Sequence, residues 1–88
     1  MDLAQARTEY IAYVAVERGL SVNTLDAYTR DLEGYLFWLS GKKITLPNQV
    51  TRSDVEEYIG SLRDLGMAPA SVERHTAALR NFHKFMAV

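Results

Sequence analysis

The stretch from Ser21 to Leu39 constrains the fold of this chain more than any other part of it. At about 100° per residue, Leu25, Tyr28, Leu32, Tyr35, Leu36 and Leu39 fall on one side of a helix. The other side carries Asn23, Ala27, Arg30 and Gly34, which are small, polar or basic. The oily stripe needs a core to pack on, and the opposite side leaves room for something outside to come close.

Three more segments repeat the helical spacing. Residues 2–18 place Leu3, Ala6, Tyr10, Tyr13 and Val14 on one stripe, with Asp2 at the positive end of the helix dipole and Gly19 as the stop. Ser21, Asn23 and Thr24 are all candidates to cap the second helix, which Gly41 is expected to end. Lys42 to Gln49 reads as a polar connector containing Pro47, with Lys42 and Lys43 solvated. Thr51 followed by Asp54 is a shortened capping box, opening a helix whose face is Val55, Tyr58, Ile59, Leu62 and Leu65 and which stops at Gly66. Pro69 fits the first turn of a fourth helix. There Val72, Thr76, Leu79, Phe82, His83 and Met86 share one side, and Ala70, Arg74, Ala77 and Asn81 the other. Short links between four amphipathic helices, with no strand candidate, predict an all-α chain folded as one compact four-helix bundle over residues 1–88.

Charge matters here through its distribution. The formal net charge is −1, which by itself argues against a general phosphate binder. Residues 51–65 nevertheless hold Asp54, Glu56, Glu57 and Asp64 against Arg52 and Arg63, whereas residues 69–88 hold Arg74, Arg80 and Lys84 against Glu73. One helix is acidic and another basic. There is no cysteine, no run of about 18 apolar residues and no signal-peptide pattern at the start, so the chain reads as cytoplasmic and makes no membrane contact.

The residues offer little for catalysis. His75 and His83 lack the His-x-x-x-His or Glu-x-x-His spacing of a metal site, and neither a Gly-rich phosphate loop nor a Gly-x-Ser-x-Gly elbow occurs. The carboxylates alternate with basic residues, as on solvated helix faces, and Tyr10, Tyr13, Tyr28 and Tyr58 fall on core stripes. No catalytic residue, metal or cofactor is expected. Phe37 and Trp38 lie off the apolar stripe of their helix, either because that helix is buried on more than one side or because they dock another surface.

The run Glu17-Arg18-Gly19-Leu20-Ser21-Val22-Asn23-Thr24-Leu25, continued by Tyr28, Asp31-Leu32, Tyr35 and Trp38-Leu39, resembles the N-terminal core-binding domain of tyrosine recombinases of the Xer and phage-integrase type. Pro69-Ala70-Ser71-Val72-Glu73-Arg74 and Ala78-Leu79-Arg80-Asn81-Phe82-His83-Lys84-Phe85-Met86 continue the resemblance over nearly the whole chain. It implies a SAM-like helical bundle forming one half of a clamp on duplex DNA. A C-terminal catalytic domain, absent from this chain, would form the other half and break and rejoin strands through a phosphotyrosine link. The fragment alone would then be no enzyme, and its partners would be duplex DNA, its own catalytic domain and other recombinase protomers in a tetramer.

Carried over by position, the resemblance puts Asn23, Thr24, Ala27 and Arg30 on the DNA side of the second helix and Ser71, Arg74 and Ala77 on that of the fourth. Ala27 and Ala77 would permit close approach, Thr24 and Ser71 would meet phosphates near helix N-termini, and Arg30 and Arg74 would reach phosphates or the guanine edge. Ala68 stands where the family often has Ser, which removes a side-chain cap. The competing expectation is a helical protein–protein module anchored on Phe37, Trp38 and Phe85, without DNA contact.

Overall fold

A computed structural model describes residues 1–87. Four α-helices follow in order, α1 (Leu3–Glu17), α2 (Val22–Gly41), α3 (Arg52–Asp64) and α4 (Pro69–Ala87), with a short 3-10 turn at Pro47–Gln49 before α3. No strand occurs among the described residues, so the all-α bundle is as expected. No helix is long and apolar enough to cross a membrane among the described residues.

The helix ends follow from local chemistry. The backbone N–H of Gln5 donates to Asp2 Oδ1 at 2.8 Å, which makes Asp2 the cap of α1. Of the three candidates for α2, Ser21 is the cap, its Oγ accepting from the N–H of Thr24 at 3.2 Å. The capping box of α3 is complete: Asp54 N–H donates to Thr51 Oγ1 at 3.1 Å and Thr51 N–H to Asp54 Oδ2 at 2.9 Å. Gly66, at φ 82°, closes α3 with Gly66 N–H on the Arg63 carbonyl and Met67 N–H on that of Leu62. The same pair of bonds closes α2, from Lys43 to Ser40 and from Ile44 to Leu39. There the left-handed residue is Lys43, at φ 63°, and not Gly41, which remains helical.

The connector is more ordered than its polarity implies. Gln49 Oε1 accepts from the N–H groups of Thr45 and Leu46 at 3.0 and 3.1 Å, and Leu3 N–H donates to the Thr45 carbonyl at 2.9 Å. Lys42 is engaged as well as solvated: its Nζ donates to Glu57 Oε2 at 2.7 Å and Asp54 Oδ1 at 3.2 Å and sits 4.5 Å from the centre of the Trp38 ring. The start of α1, the end of α2 and the start of α3 are thereby tied together.

The core is one cluster running through all four helices, in which Leu32, Tyr35, Leu39, Leu79 and Phe82 are fully buried. Truncating one of them, as in Leu79→Ala, would cost roughly 2–5 kcal/mol, a large part of what a domain this small holds. α2 and α4 each pack on the other three helices, so they form the central pair of a flat body measuring 33 × 31 × 18 Å. Tyr10 meets Phe82 and Phe85 between α1 and α4, with ring centroids 5.6 and 5.4 Å apart. Tyr58 meets Tyr35 and Trp38 between α2 and α3 at 5.1 and 5.3 Å.

Two stripe residues leave the core. Leu65 is 82% exposed because it lies past the last turn of α3, where the chain swings into the Gly66 turn. Tyr13 is half exposed and rests on Phe85 instead of entering the core. In α4 the buried side is shifted toward His75 and Ala78, while Thr76 and Met86 are half-buried.

Candidate functional site

The seven residues expected to face DNA all lie on the central pair of helices. On α2, Asn23 and Arg30 are exposed, and Thr24 and Ala27 are half-buried. On α4, Arg74 and Ala77 are exposed and Ser71 is half-buried. Thr24 is partly committed already, because its Oγ1 accepts from the Ser21 hydroxyl at 3.0 Å. Arg30 has no ion-pair partner among the described residues.

Among the described residues no side chain caps the first turn of α4 in competition with an outside acceptor. Ala68 offers only its carbonyl, which takes the N–H of Val72 at 3.0 Å. The amides of Ala70 and Ser71 belong to that first turn, where no helical carbonyl precedes them. This is the part of α4 at which the positive end of the helix dipole emerges.

Arg74 and α2 are joined through a residue that sequence reasoning treated as one of the solvated carboxylates. Asp31 is 4% exposed. Its Oδ2 accepts from Arg74 Nε at 2.8 Å and its Oδ1 from Arg74 Nη2 at 3.0 Å. His75 Nε2 lies 3.2 Å from the same Oδ1. Two consecutive residues of α4 thus converge on one buried carboxylate of α2, and the two Arg74 donors satisfy it.

The electrostatics agree with this arrangement. The hydrogen bond to Asp31 holds the Arg74 guanidinium above its usual range. Burial pushes the His75 imidazole below its ordinary value, and the Asp31 charge opposes that only in part. His75 is therefore neutral at pH 7, with Nε2 beside the carboxylate and Nδ1 buried without a hydrogen-bond partner. Nothing in the local sequence marks Asp31 as buried, since Arg30, Asp31 and Glu33 read together as a charged surface. The one available signal is its place one residue before Leu32 on the apolar stripe.

The residues kept for the protein-contact reading divide. Trp38 is half-buried against Tyr58 and Lys42, and Phe85 is half-buried against Tyr10 and Tyr13. Both serve seams between helices. Phe37 is 80% exposed, so burial of α2 on a second side accounts for Trp38 and not for Phe37. An apolar groove of about 760 Å³ between α1 and the end of α4 is lined by Tyr10, Tyr13, Phe85 and Met86, with Glu9 and Lys84 among the polar groups there. Among the described residues no three His, Asp or Glu side chains gather where they could hold a metal ion.

The chain has relatives among known proteins. It is 38% identical over 77 residues to Tyrosine recombinase XerD of Staphylococcus haemolyticus, a match covering 88% of this chain and 26% of that protein. Tyrosine recombinase XerD of Bifidobacterium longum is 36% identical over 77 residues, covering 88% and 25%. That of Oceanobacillus iheyensis is 34% identical over 85 residues, covering 96% and 29%. The chain thus spans about a quarter of the length of these relatives. No solved structure matches it. The family described as phage integrase, N-terminal SAM-like domain, matches residues 8–87, and the chain belongs to that family.

Proposed function

We propose that this domain grips duplex DNA through the outer faces of α2 and α4 as the N-terminal part of a site-specific tyrosine recombinase. The observation that carries the reading is the Arg74 to Asp31 pair, which joins α4 to the middle of α2 and leaves Arg30 exposed on one helix and Arg74 on the other. Ala27 and Ala77, one turn from Asp31 and Arg74 respectively, keep side-chain bulk low on both sides of that pair. Basic groups flanked by small residues let a backbone come near and supply charge to meet it. The relatives' name, tyrosine recombinase, supports the same reading.

Cleavage and rejoining of strands then belong to a separate catalytic domain, in the three quarters of the relatives that this chain does not span. This domain positions DNA, and the chemistry is performed elsewhere. With a net charge of −1 it binds weakly by itself, and tethering to the catalytic half and assembly with other protomers on DNA supply avidity.

The test is a titration of the ¹⁵N-labelled chain with a short duplex at low salt. Chemical-shift changes should concentrate at Asn23, Arg30, Ser71 and Arg74, and added salt should reverse them. Shifts confined to other helices, or none, would show that these faces do not meet DNA.

A further inference from the structure

We infer that Asp31 is a positioning residue, which aims the guanidinium of Arg74 at the nucleic acid. The inference rests on the reading of α2 and α4 as the DNA-facing pair. Arg74 offers two edges for paired hydrogen bonds, a lateral one made by Nε and Nη2 and a terminal one made by Nη1 and Nη2. Asp31 occupies the lateral edge with bonds of 2.8 and 3.0 Å. The terminal edge is left over, in a side chain that remains 44% exposed. The carboxylate is itself fixed, being 4% exposed and approached by His75 Nε2 at 3.2 Å. Arg74 is therefore held at its lateral edge in a set plane and presents the other edge outward.

A flexible surface arginine loses much of its side-chain freedom when it binds a phosphate or a guanine edge. One held in this way has lost most of it before contact, so each hydrogen bond to the ligand is retained more fully. The arrangement also gives a result that simple charge counting does not. Asp31 is an anion close to the DNA-facing surface, and removing it should strengthen binding if only net charge matters. If Asp31 aims Arg74, removing it should weaken binding.

The experiment compares the wild-type chain with Asp31→Asn, Arg74→Ala and Arg74→Lys, using one short duplex at low salt. In the free wild-type protein the Arg74 Nε–H should give a resolved, slowly exchanging NMR signal, and Asp31→Asn should abolish it. Asp31→Asn should bind about tenfold more weakly, the scale of one charge-assisted hydrogen bond, and a variant combining Asp31→Asn with Arg74→Ala no more weakly than Arg74→Ala alone. A variant that only loosens the fold would lose thermal stability yet bind normally at a temperature where it stays folded. Equal or tighter binding by folded Asp31→Asn would overturn the inference. Arg74→Lys keeps the charge without the planar fork, so it should bind as weakly as Arg74→Ala. Wild-type affinity from Arg74→Lys would overturn the inference even if Asp31→Asn fails to fold. A wild-type chain that shows the Nε–H signal but no response to DNA would instead overturn the reading of the two faces, and the inference with it.

Discussion

Tyr35 Oη and His83 Nε2 stand 2.7 Å apart across the seam between α2 and α4. Tyr35 is fully buried, and burial raises its hydroxyl far above the ordinary range, so the phenol is neutral and its proton needs an acceptor. A neutral imidazole supplies one. Protonating His83 would replace that acceptor with a second donor.

Burial accordingly depresses His83, and burial depresses His75 as well. Both imidazoles hold their protons less tightly folded than unfolded, so the unfolded chain takes up protons first as pH falls. The stability they contribute is complete above the unfolded value of about 6.5 and is lost progressively below it. The thermal midpoint should therefore be level from about pH 8 to about pH 7 and fall by about pH 5, well above the carboxylate range. A midpoint unchanged down to about pH 5 would show that the two rings are not held neutral.

The end of α2 yields a second prediction. Lys43 adopts φ 63° to complete the turn that Gly66 completes after α3. A side chain in the left-handed region costs roughly 1–2 kcal/mol, and glycine escapes that cost at some expense in unfolded-state entropy. Lys43→Gly should stabilise the domain by about 0.5–1 kcal/mol in urea unfolding. Gly66→Ala, at φ 82°, should destabilise it by about 1 kcal/mol or more.

The helices and most of the core were legible in the sequence because their signals are local. The stripe Leu32, Tyr35 and Leu39 needs only the helical period, and the Thr51 and Asp54 box needs only four residues. What escaped depends on partners far along the chain. Asp31 is buried because Arg74, more than forty residues later, satisfies it, with His75 close beside it. Lys42 is drawn in by Glu57 and Trp38, and Leu65 is expelled by the geometry of the turn that follows it. For the candidate DNA face, periodicity set Asn23, Ala27 and Arg30 opposite one core stripe and Arg74 and Ala77 opposite another. It did not reveal that one of the two arginines is already paired.

The glycines within helices separate two kinds of site. An added Cβ at Gly60 of α3 meets nothing within 4 Å, so Gly60→Ala should gain about 0.5–1 kcal/mol from helix propensity. At Gly34 of α2 the same Cβ would lie 3.3 Å from the Tyr58 hydroxyl, and the Tyr58 ring is held between Tyr35 and Trp38. Gly34→Ala should therefore forfeit the gain. Matched denaturation curves for the two variants check this, and an equal gain from both would show that Tyr58 yields freely.

On the proposed DNA-facing role of α2 and α4, Arg30 and Arg74 should differ in how their loss changes the salt dependence of DNA binding. Arg30 is exposed without an ion-pair partner among the described residues, so a phosphate it meets is neutralised by a full unit of charge. Arg74 brings Asp31 with it, and the pair carries almost no net charge to the interface. Counterion release follows the number of phosphates neutralised, at about 0.9 in the slope of log affinity against log salt for each. Arg30→Ala should lower that slope by nearly this amount and weaken binding most at low salt. Arg74→Ala should weaken binding at every salt concentration with a smaller change in slope, because what it loses is an oriented hydrogen-bonding edge. Fluorescence anisotropy with one labelled duplex across a salt series gives both slopes. Equal loss of slope from the two substitutions would show that Asp31 does not offset the charge of Arg74 where the domain meets DNA.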